Sequence, residues 1–396
     1  MTDRLRILLL NYEFPPMGGG AGHASFQIAR ALVRQGCHVD VVTSAVNGQP
    51  AIEMVDGLEV YRVVTRRKGI HNCGFLGAWS YIAAAQPLCR RLLRERRHQI
   101  AHYFFSLPTG ALRLITPEAK HIPTVVSLRG SDVPGYDPTN YLLQTAHTLL
   151  RPITRHIWKR ADALVALSQS LREQARMTLT EKPIEVISNA IEHEIFTPAR
   201  RNGHRGGTRL LTVARLIPRK GLTDLLQAML FLHDLPIHLT IQGSGSDDGR
   251  LRELTEKLGL RDRITFSGFQ PRHQLPSVYR QADIFVLPSF SESCGLVLLE
   301  AMACGLPAVV TRVGGMVEHI DDHVNGLVVP PRDPQALAAA IRRLAVNPEL
   351  RTEMGARNAL KVRMHYSWDR VASAYLSLYR NILELNLNIG APHAHR

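Results

Sequence analysis

Apolar residues in this chain fall into short solid runs separated by longer stretches of helical period. Strand-like runs are Arg6 to Asn11, Val39 to Ser44, a run opening at Val125-Val126, Ala163 to Ser168 and Ile184 to Ile187. The pattern restarts at Arg209 and runs to Arg215, then gives His238 to Gln242, Ile264 to Phe266, Ile284 to Leu287 and Ala308 to Thr311. Between and after them, helical spacing predicts helices over Ala24–Gln35, 75–98, Leu222–Leu232, Val278–Ala282, about 334–346, 348–363 and 366–384. Strands that are apolar throughout are buried on both faces, as in a parallel sheet covered by helices. The run ARRNGHRGGT, residues 199–208, reads as an interdomain linker. The pattern thus predicts two α/β domains, 1–200 and 209–365, and a closing helix over 366–386 whose Val371, Ala374, Tyr375, Leu378 and Ile382 share one face.

One stretch, Pro288 to Glu318, carries unusual chemistry. After the Ile284–Leu287 strand, Pro288, Ser289, Ser291 and Ser293 break the pattern into a loop. Gly295 to Ala303 is apolar nearly all round, so it predicts a buried helix, stopped by Gly305 and Pro307. Gly314-Gly315 marks a second tight loop. Glu300 lies inside the apolar helix, where a buried carboxylate requires a cation, an amide or a ligand hydroxyl. Glu292 precedes the helix, whose first amides and dipole favour an anion. Amides for a phosphate and two carboxylates for hydroxyls suit a sugar phosphate.

Glu292 and Glu300, with Gly295, Ala301, Gly305, Pro307 and Gly314-Gly315, resemble the donor-site signature of the retaining family 4 glycosyltransferases. That resemblance implies the GT-B fold: two Rossmann-like domains, an interdomain cleft holding the active site, and a last helix that crosses back onto the first domain. It implies that Arg215 and Lys220, five apart, hold the donor's diphosphate, with help from the amides near Cys294, Gly295 and Leu296. Two cations at the end of a strand are also what a departing nucleoside diphosphate needs on electrostatic grounds. Glu292 is then expected on sugar hydroxyls, Glu300 on the ribose, and the SGFQP loop with Phe269 around the base.

The first-domain residues are less decisive. Gly18, Gly19 and Gly20 follow the first strand; a dinucleotide fingerprint almost fits, but its third glycine position holds His23. In the resembled family this loop covers the donor's phosphate and sugar. Where many members carry a histidine in contact with the transferred sugar, this chain has Arg129. An arginine cannot act as a base at neutral pH, but it can hold a phosphate, a hydroxyl or an acidic acceptor. Asp132 matches an acidic residue of the same loop. Asn189 belongs to Ser188-Asn189-Ala190, which resembles the family's Asn-Gly loop with alanine for glycine.

Charge and cysteines narrow the partners. The net charge of +14 is spread as +8 over residues 1–200 and +6 over the rest, with no charged tail. No aromatic-plus-basic signature supports nucleic acid. Residues 75–98 and 149–160 predict basic amphipathic helices, so an anionic membrane surface is an expected partner, as is an anionic nucleotide sugar. The five cysteines are scattered, without a CxxC, and read as reduced thiols. There is no apolar run long enough to span a bilayer and no recognisable signal peptide. The expected location is cytoplasmic or peripheral on the inner membrane face. Asp247-Asp248 and Asp321-Asp322 read as surface loops, so neither metal nor cofactor is expected.

The resemblance implies hexosyl transfer from a UDP- or GDP-sugar to a glycan or lipid-linked hydroxyl, in cell-surface polysaccharide or glycolipid synthesis. Two other functions fit the same residues: a GT-B epimerase or phosphorylase, and a non-catalytic sugar-nucleotide or polysaccharide-binding protein.

Overall fold

A computed structural model describes residues 4–46, 48–67, 69, 73–198 and 207–390. The chain divides into two compact units: one of residues up to Tyr136, Leu142–Asn189 and the segment from Trp368, the other of Asp137–Tyr141 and Ala190–Ser367. The division falls at Asn189, ahead of the expected boundary at 200. Ala190–Pro198 joins the second unit because its side chains pack there: Phe196 sits edge-on to Tyr279, and Glu192 pairs with Arg272 at 3.0 Å. The expected linker lies almost wholly outside the described residues.

The first unit runs β1 (Arg6–Leu10), α1 (Gly20–Arg34), β2 (His38–Ser44), β3 (Ile52–Val55), β4 (Leu58–Val63), α2 (Gly74–Glu95), β5 (Ile100–Phe104), α3 (Leu112–Ile115), β6 (Thr124–Ser127), α4 (Tyr141–Arg160), β7 (Ala163–Ala166), α5 (Gln169–Arg176) and β8 (Ile184–Val186). Its sheet has the order β3-β4-β2-β1-β5-β6-β7-β8, parallel except for the β3–β4 hairpin. Chain order reverses between β1 and β5, so loops leaving those strands flank a crevice at the sheet's C-terminal edge.

The second unit continues β9 (Thr208–Val213), α6 (Leu222–Leu230), β10 (Ile237–Gln242), α7 (Asp248–Lys257), β11 (Ile264–Gly268), α8 (Leu275–Gln281), β12 (Ile284–Leu287), α9 (Leu296–Ala303), β13 (Ala308–Thr311), α10 (Met316–His319), β14 (Gly326–Val329), α11 (Pro334–Ala345) and α12 (Pro348–His365). Its sheet, β11-β10-β9-β12-β13-β14, is parallel throughout. Here the order reverses between β9 and β12. Strands β12 and β13 are buried at every position, which is why their sequences are apolar without alternation.

The last helix, α13 (Trp368–Gly390), packs on α1 and on the first sheet. His102 in β5 lies between the Tyr379 hydroxyl and the Ser127 hydroxyl, each 2.7 Å away, and Ser127 meets the Tyr375 hydroxyl at 2.9 Å. Complete burial pushes the His102 pKa down to about 3. The buried stripe of α13 is Val371, Ala372, Tyr375, Leu376, Tyr379 and Ile382; Ala374 is exposed and Leu378 only half-buried. The helical period was legible, but its phase is set by the tyrosines that reach His102 and Ser127.

Candidate active site

Two loops meet at the β9/β12 switch point. After β9 the chain makes a single tight turn, Pro218–Lys220, and then Gly221 at φ +65° begins α6. A Cβ on Gly221 would collide with the Pro288 carbonyl, so only glycine allows this approach. The Phe290 amide donates to the Arg219 carbonyl at 2.7 Å, lacing the two loops together. The loop after β13 closes the third side. Gly314, at φ +54°, would collide with the Glu292 carbonyl if it carried a Cβ, and the Gly315 amide donates to that carbonyl at 3.1 Å.

Inside this frame the buried Lys220 forms an ion pair with Glu292, whose side chain is only slightly exposed. Burial lowers the Lys220 pKa, an effect that Glu292 opposes and the Arg219 and Arg215 charges reinforce. Burial would raise that of Glu292, but Lys220, Arg219 and Arg215 outweigh it and hold the carboxyl below its usual range. Arg215 is exposed at the end of β9. Arg219 is buried; it donates to the Ser291 carbonyl at 3.1 Å and lies 3.5 Å from Asp137. Sequence reasoning passed over Arg219, although it stands next to Lys220. Three cations around one carboxylate leave two positive charges beside the first turn of α9. The amides of that turn have no intrahelical carbonyl to meet.

Gly295 caps α9 at φ +76° with no side-chain cap. The Cys294 carbonyl is held instead by His319, whose Nε2 lies 2.8 Å away; His319 Nδ1 lies 2.8 Å from the Tyr366 hydroxyl. Burial brings the His319 pKa to about 4, so the ring is neutral at pH 7.

Glu300 is fully buried, as expected, and the protein itself supplies its partners. One oxygen pairs with Arg272, the other accepts from the Tyr279 hydroxyl at 2.7 Å. Arg272 also pairs with Glu192 and lies over the Phe196 ring at 4.9 Å. Burial would lower the Arg272 pKa, but Glu300 and Glu192 raise it. A ribose on Glu300 would use the carboxylate's remaining lone pairs. Arg272 was not foreseen, although a buried carboxylate demanded such a partner. Phe269 is exposed on the loop leaving β11.

In the first unit, Gly18 has φ +83°, Gly19 caps α1 and Gly20 is its first residue. The helix expected from Ala24 therefore begins four residues earlier, and the glycines line its N-terminus after β1. Arg129 is buried: its guanidinium donates to Asn189 Oδ1 at 2.8 Å and lies over the Phe104 ring at 5.3 Å. Asp132 instead accepts from the backbone amides of Ser106 (2.7 Å) and Arg129 (2.8 Å) and from the Ser106 hydroxyl (2.9 Å). The structure thus joins Arg129 to Asn189 and sets Asp132 to tie the loops after β5 and β6.

The Asp247-Asp248 pair, expected in a surface loop, opens α7. Asp247 is buried and held by both ends of the Arg250 fork, at 2.7 and 2.8 Å, while Asp248 pairs with Arg252. Among the described residues, the His/Asp/Glu group close enough to share an ion is His38, Asp40 and Glu59, on β2 and β4 of the first unit. There Glu59 already accepts from Arg96 (3.1 Å) and Tyr61 (2.7 Å).

Known proteins carry the same pattern. The model of the family described as glycosyltransferase family 4 matches residues 18–195, and that of glycosyl transferases group 1 matches residues 199–361. A D-inositol 3-phosphate glycosyltransferase of Saccharomonospora viridis is 33% identical over 428 residues, which span 96% of this chain and 94% of its own. Among solved structures, a sucrose-phosphate synthase from Thermosynechococcus elongatus superposes with a TM-score of 0.85 at 23% identity, covering 96% of this chain and 100% of its own. HepE of Anabaena, solved with UDP-glucose, gives 0.75 at 19% identity, covering 96% and 100%. The structural likenesses establish the GT-B fold, the sequence likenesses establish the lineage, and the chain belongs to the group 1, family 4 glycosyltransferases.

Proposed function

We propose that this enzyme transfers a hexosyl group, with retention, from a UDP- or GDP-sugar to a hydroxyl of a glycan or lipid-linked acceptor. One observation carries the reading: Arg215, Arg219 and Lys220 gather around Glu292 beside the first turn of α9. As the anomeric C–O bond breaks, its electron pair passes to the diphosphate. Lys220, the two arginines and the α9 amides offset that growing charge. The acceptor oxygen bonds to the anomeric carbon on the face the diphosphate leaves, and its proton passes to a phosphate oxygen. That course needs no protein base, in keeping with Arg129 where a histidine is common. Glu292, oriented by Lys220, binds sugar hydroxyls, and Glu300, oriented by Arg272 and Tyr279, anchors the ribose side.

Three side-chain cations supply the charge a divalent ion would otherwise bring, so the reaction is metal-independent in this reading. The acceptor belongs to cell-surface polysaccharide or glycolipid assembly, and Arg129 with Asn189 suits a polyol bearing a phosphate. The Saccharomonospora relative, named for D-inositol 3-phosphate, is consistent with that. A UDP donor has support from HepE, solved with UDP-glucose.

Thermal unfolding against UDP-, GDP- and ADP-sugars, with and without EDTA, tests the donor half. A ligand at 100 times its Kd adds about 2.7 kcal/mol of stability. Stabilisation by UDP- or GDP-sugars, unchanged by EDTA and weakened in Glu300→Ala, is the expected result. No stabilisation by any of them would sink the reading.

A further inference from the structure

We propose that His319 is a positioning residue that turns the Gly295 amide toward the donor's diphosphate; this rests on the donor-site reading above. The carbonyl of Cys294 can only accept, so the 2.8 Å contact makes His319 Nε2 the protonated nitrogen. Nδ1 then carries the lone pair and accepts from the Tyr366 hydroxyl at 2.8 Å. The ring is 3% exposed and stands edge-on to Tyr366, with centroids 5.0 Å apart at 83°. Its backbone is also fixed: Asn325 donates to the His319 carbonyl at 3.1 Å and to Asn358 at 2.8 Å, and Asn358 donates to the Leu306 carbonyl at 2.7 Å. The Cys294 Sγ also lies 3.6 Å from Nε2, so both polar atoms of that residue face the ring, and the shorter contact is the one to the carbonyl. A neutral imidazole with one proton, held at Nδ1 by Tyr366, favours one orientation of the peptide it faces.

That peptide matters because its other end starts the helix. The C=O of Cys294 and the N–H of Gly295 belong to one trans planar unit and point opposite ways. Holding the carbonyl on the His319 side therefore aims the amide away from His319. Gly295 adopts φ +76° and its carbonyl accepts from the Leu298 amide at 2.8 Å. With no side-chain cap on α9, the His319 bond is a side-chain clamp on this turn. Glu292 and Lys220 do not supply it: they hold each other.

Titration calorimetry with UDP or GDP, whichever stabilises the parent chain, and with the matching nucleoside separates this role from general stability. His319→Leu is expected to weaken the diphosphate about tenfold, the scale of one charge-assisted hydrogen bond, and the nucleoside less than twofold. His319→Gln, whose amide can reach the same carbonyl, is expected to recover most of the loss. Tyr366→Phe, which frees the tautomer, should cost the diphosphate about threefold. Equal weakening of both ligands, or of neither, in His319→Leu overturns the proposal. Should that variant not fold, a Tyr366→Phe chain without a selective diphosphate loss overturns it as well. A parent chain that binds the diphosphate no better than the nucleoside instead overturns the donor-site reading beneath it.

Discussion

Lys220 is buried against one carboxylate and near two guanidinium groups, so its charge depends on what binds there. In the proposed reaction a departing diphosphate would strengthen that charge, and removing the lysine would take away stabilisation that grows toward the transition state. Lys220→Ala is expected to lower kcat by about 10² or more, with a smaller change in KM. A loss below about threefold in steady-state turnover would remove Lys220 from the chemistry. At this scale the sequence drew attention to charge in unusual places. Arg215 and Lys220 came from the family resemblance, Glu292 from that resemblance and its loop before a buried helix, and Glu300 from an ion in an apolar helix. Arg219 and Arg272 were missed because each faces a partner distant in the chain: Arg219 meets Ser291, and Arg272 meets Glu300 and Glu192. Asp132 was read as the acidic residue of the family's loop, and its partners are Ser106 and the Arg129 amide.

Elements hold these side chains through backbone contact rather than side-chain packing. The loop after β13 lies directly on the Glu292 peptide because Gly314 has no Cβ and adopts a left-handed φ. Gly314→Ala is expected to cost about 2–4 kcal/mol, from the forced backbone and the displaced loop, in urea unfolding followed by circular dichroism. A change under about 0.5 kcal/mol would mean that the loops do not touch. Most strands and helices were legible because parallel strands buried on both faces are written as solid apolar runs. The exceptions have physical causes. β5 carries a buried histidine and follows a basic helix end, so it does not look like a core strand. The β3–β4 hairpin was passed over, although Asp56-Gly57, both at positive φ, is a two-residue turn signal. β3 is an exposed edge strand with no core pattern to announce it.

For the molecule as a whole, two properties follow from burial and exposure. Burial holds His102 neutral in the folded state, so its folded pKa of about 3 lies below the unfolded value near 6.5. Between those values the unfolded chain binds the extra proton. Stability is therefore fully present above about pH 6.5 and lost as pH falls, by up to about 1.4 kcal/mol per unit. All three tryptophans, Trp79, Trp158 and Trp368, belong to the first unit, so their fluorescence reports the unfolding of that unit. Denaturant midpoints read that way should drop between pH 6.5 and 5.5 in the parent and drop less in His102→Gln; equal drops would remove His102 as the cause. The second property concerns membranes. No described helix is long and apolar enough to cross one, yet α2 exposes Phe75, Leu76 and Trp79, and α4 exposes Leu149 and Ile153 beside Arg151 and Arg155. Binding to vesicles containing anionic lipid, absent with zwitterionic lipid and weakened by salt, is the expected outcome of flotation. Equal recovery with both lipids would exclude the electrostatic attachment.

The return of α13 also sets an order of assembly. The face formed by His102, Ser127 and α1 is synthesised within the first third of the chain, but the tyrosines that cover it come near the end. A ribosome must make the entire second unit before the first can be sealed. The half that is translated first is thus the half that finishes last, and a nascent chain that stalls near residue 367 leaves its older domain uncovered.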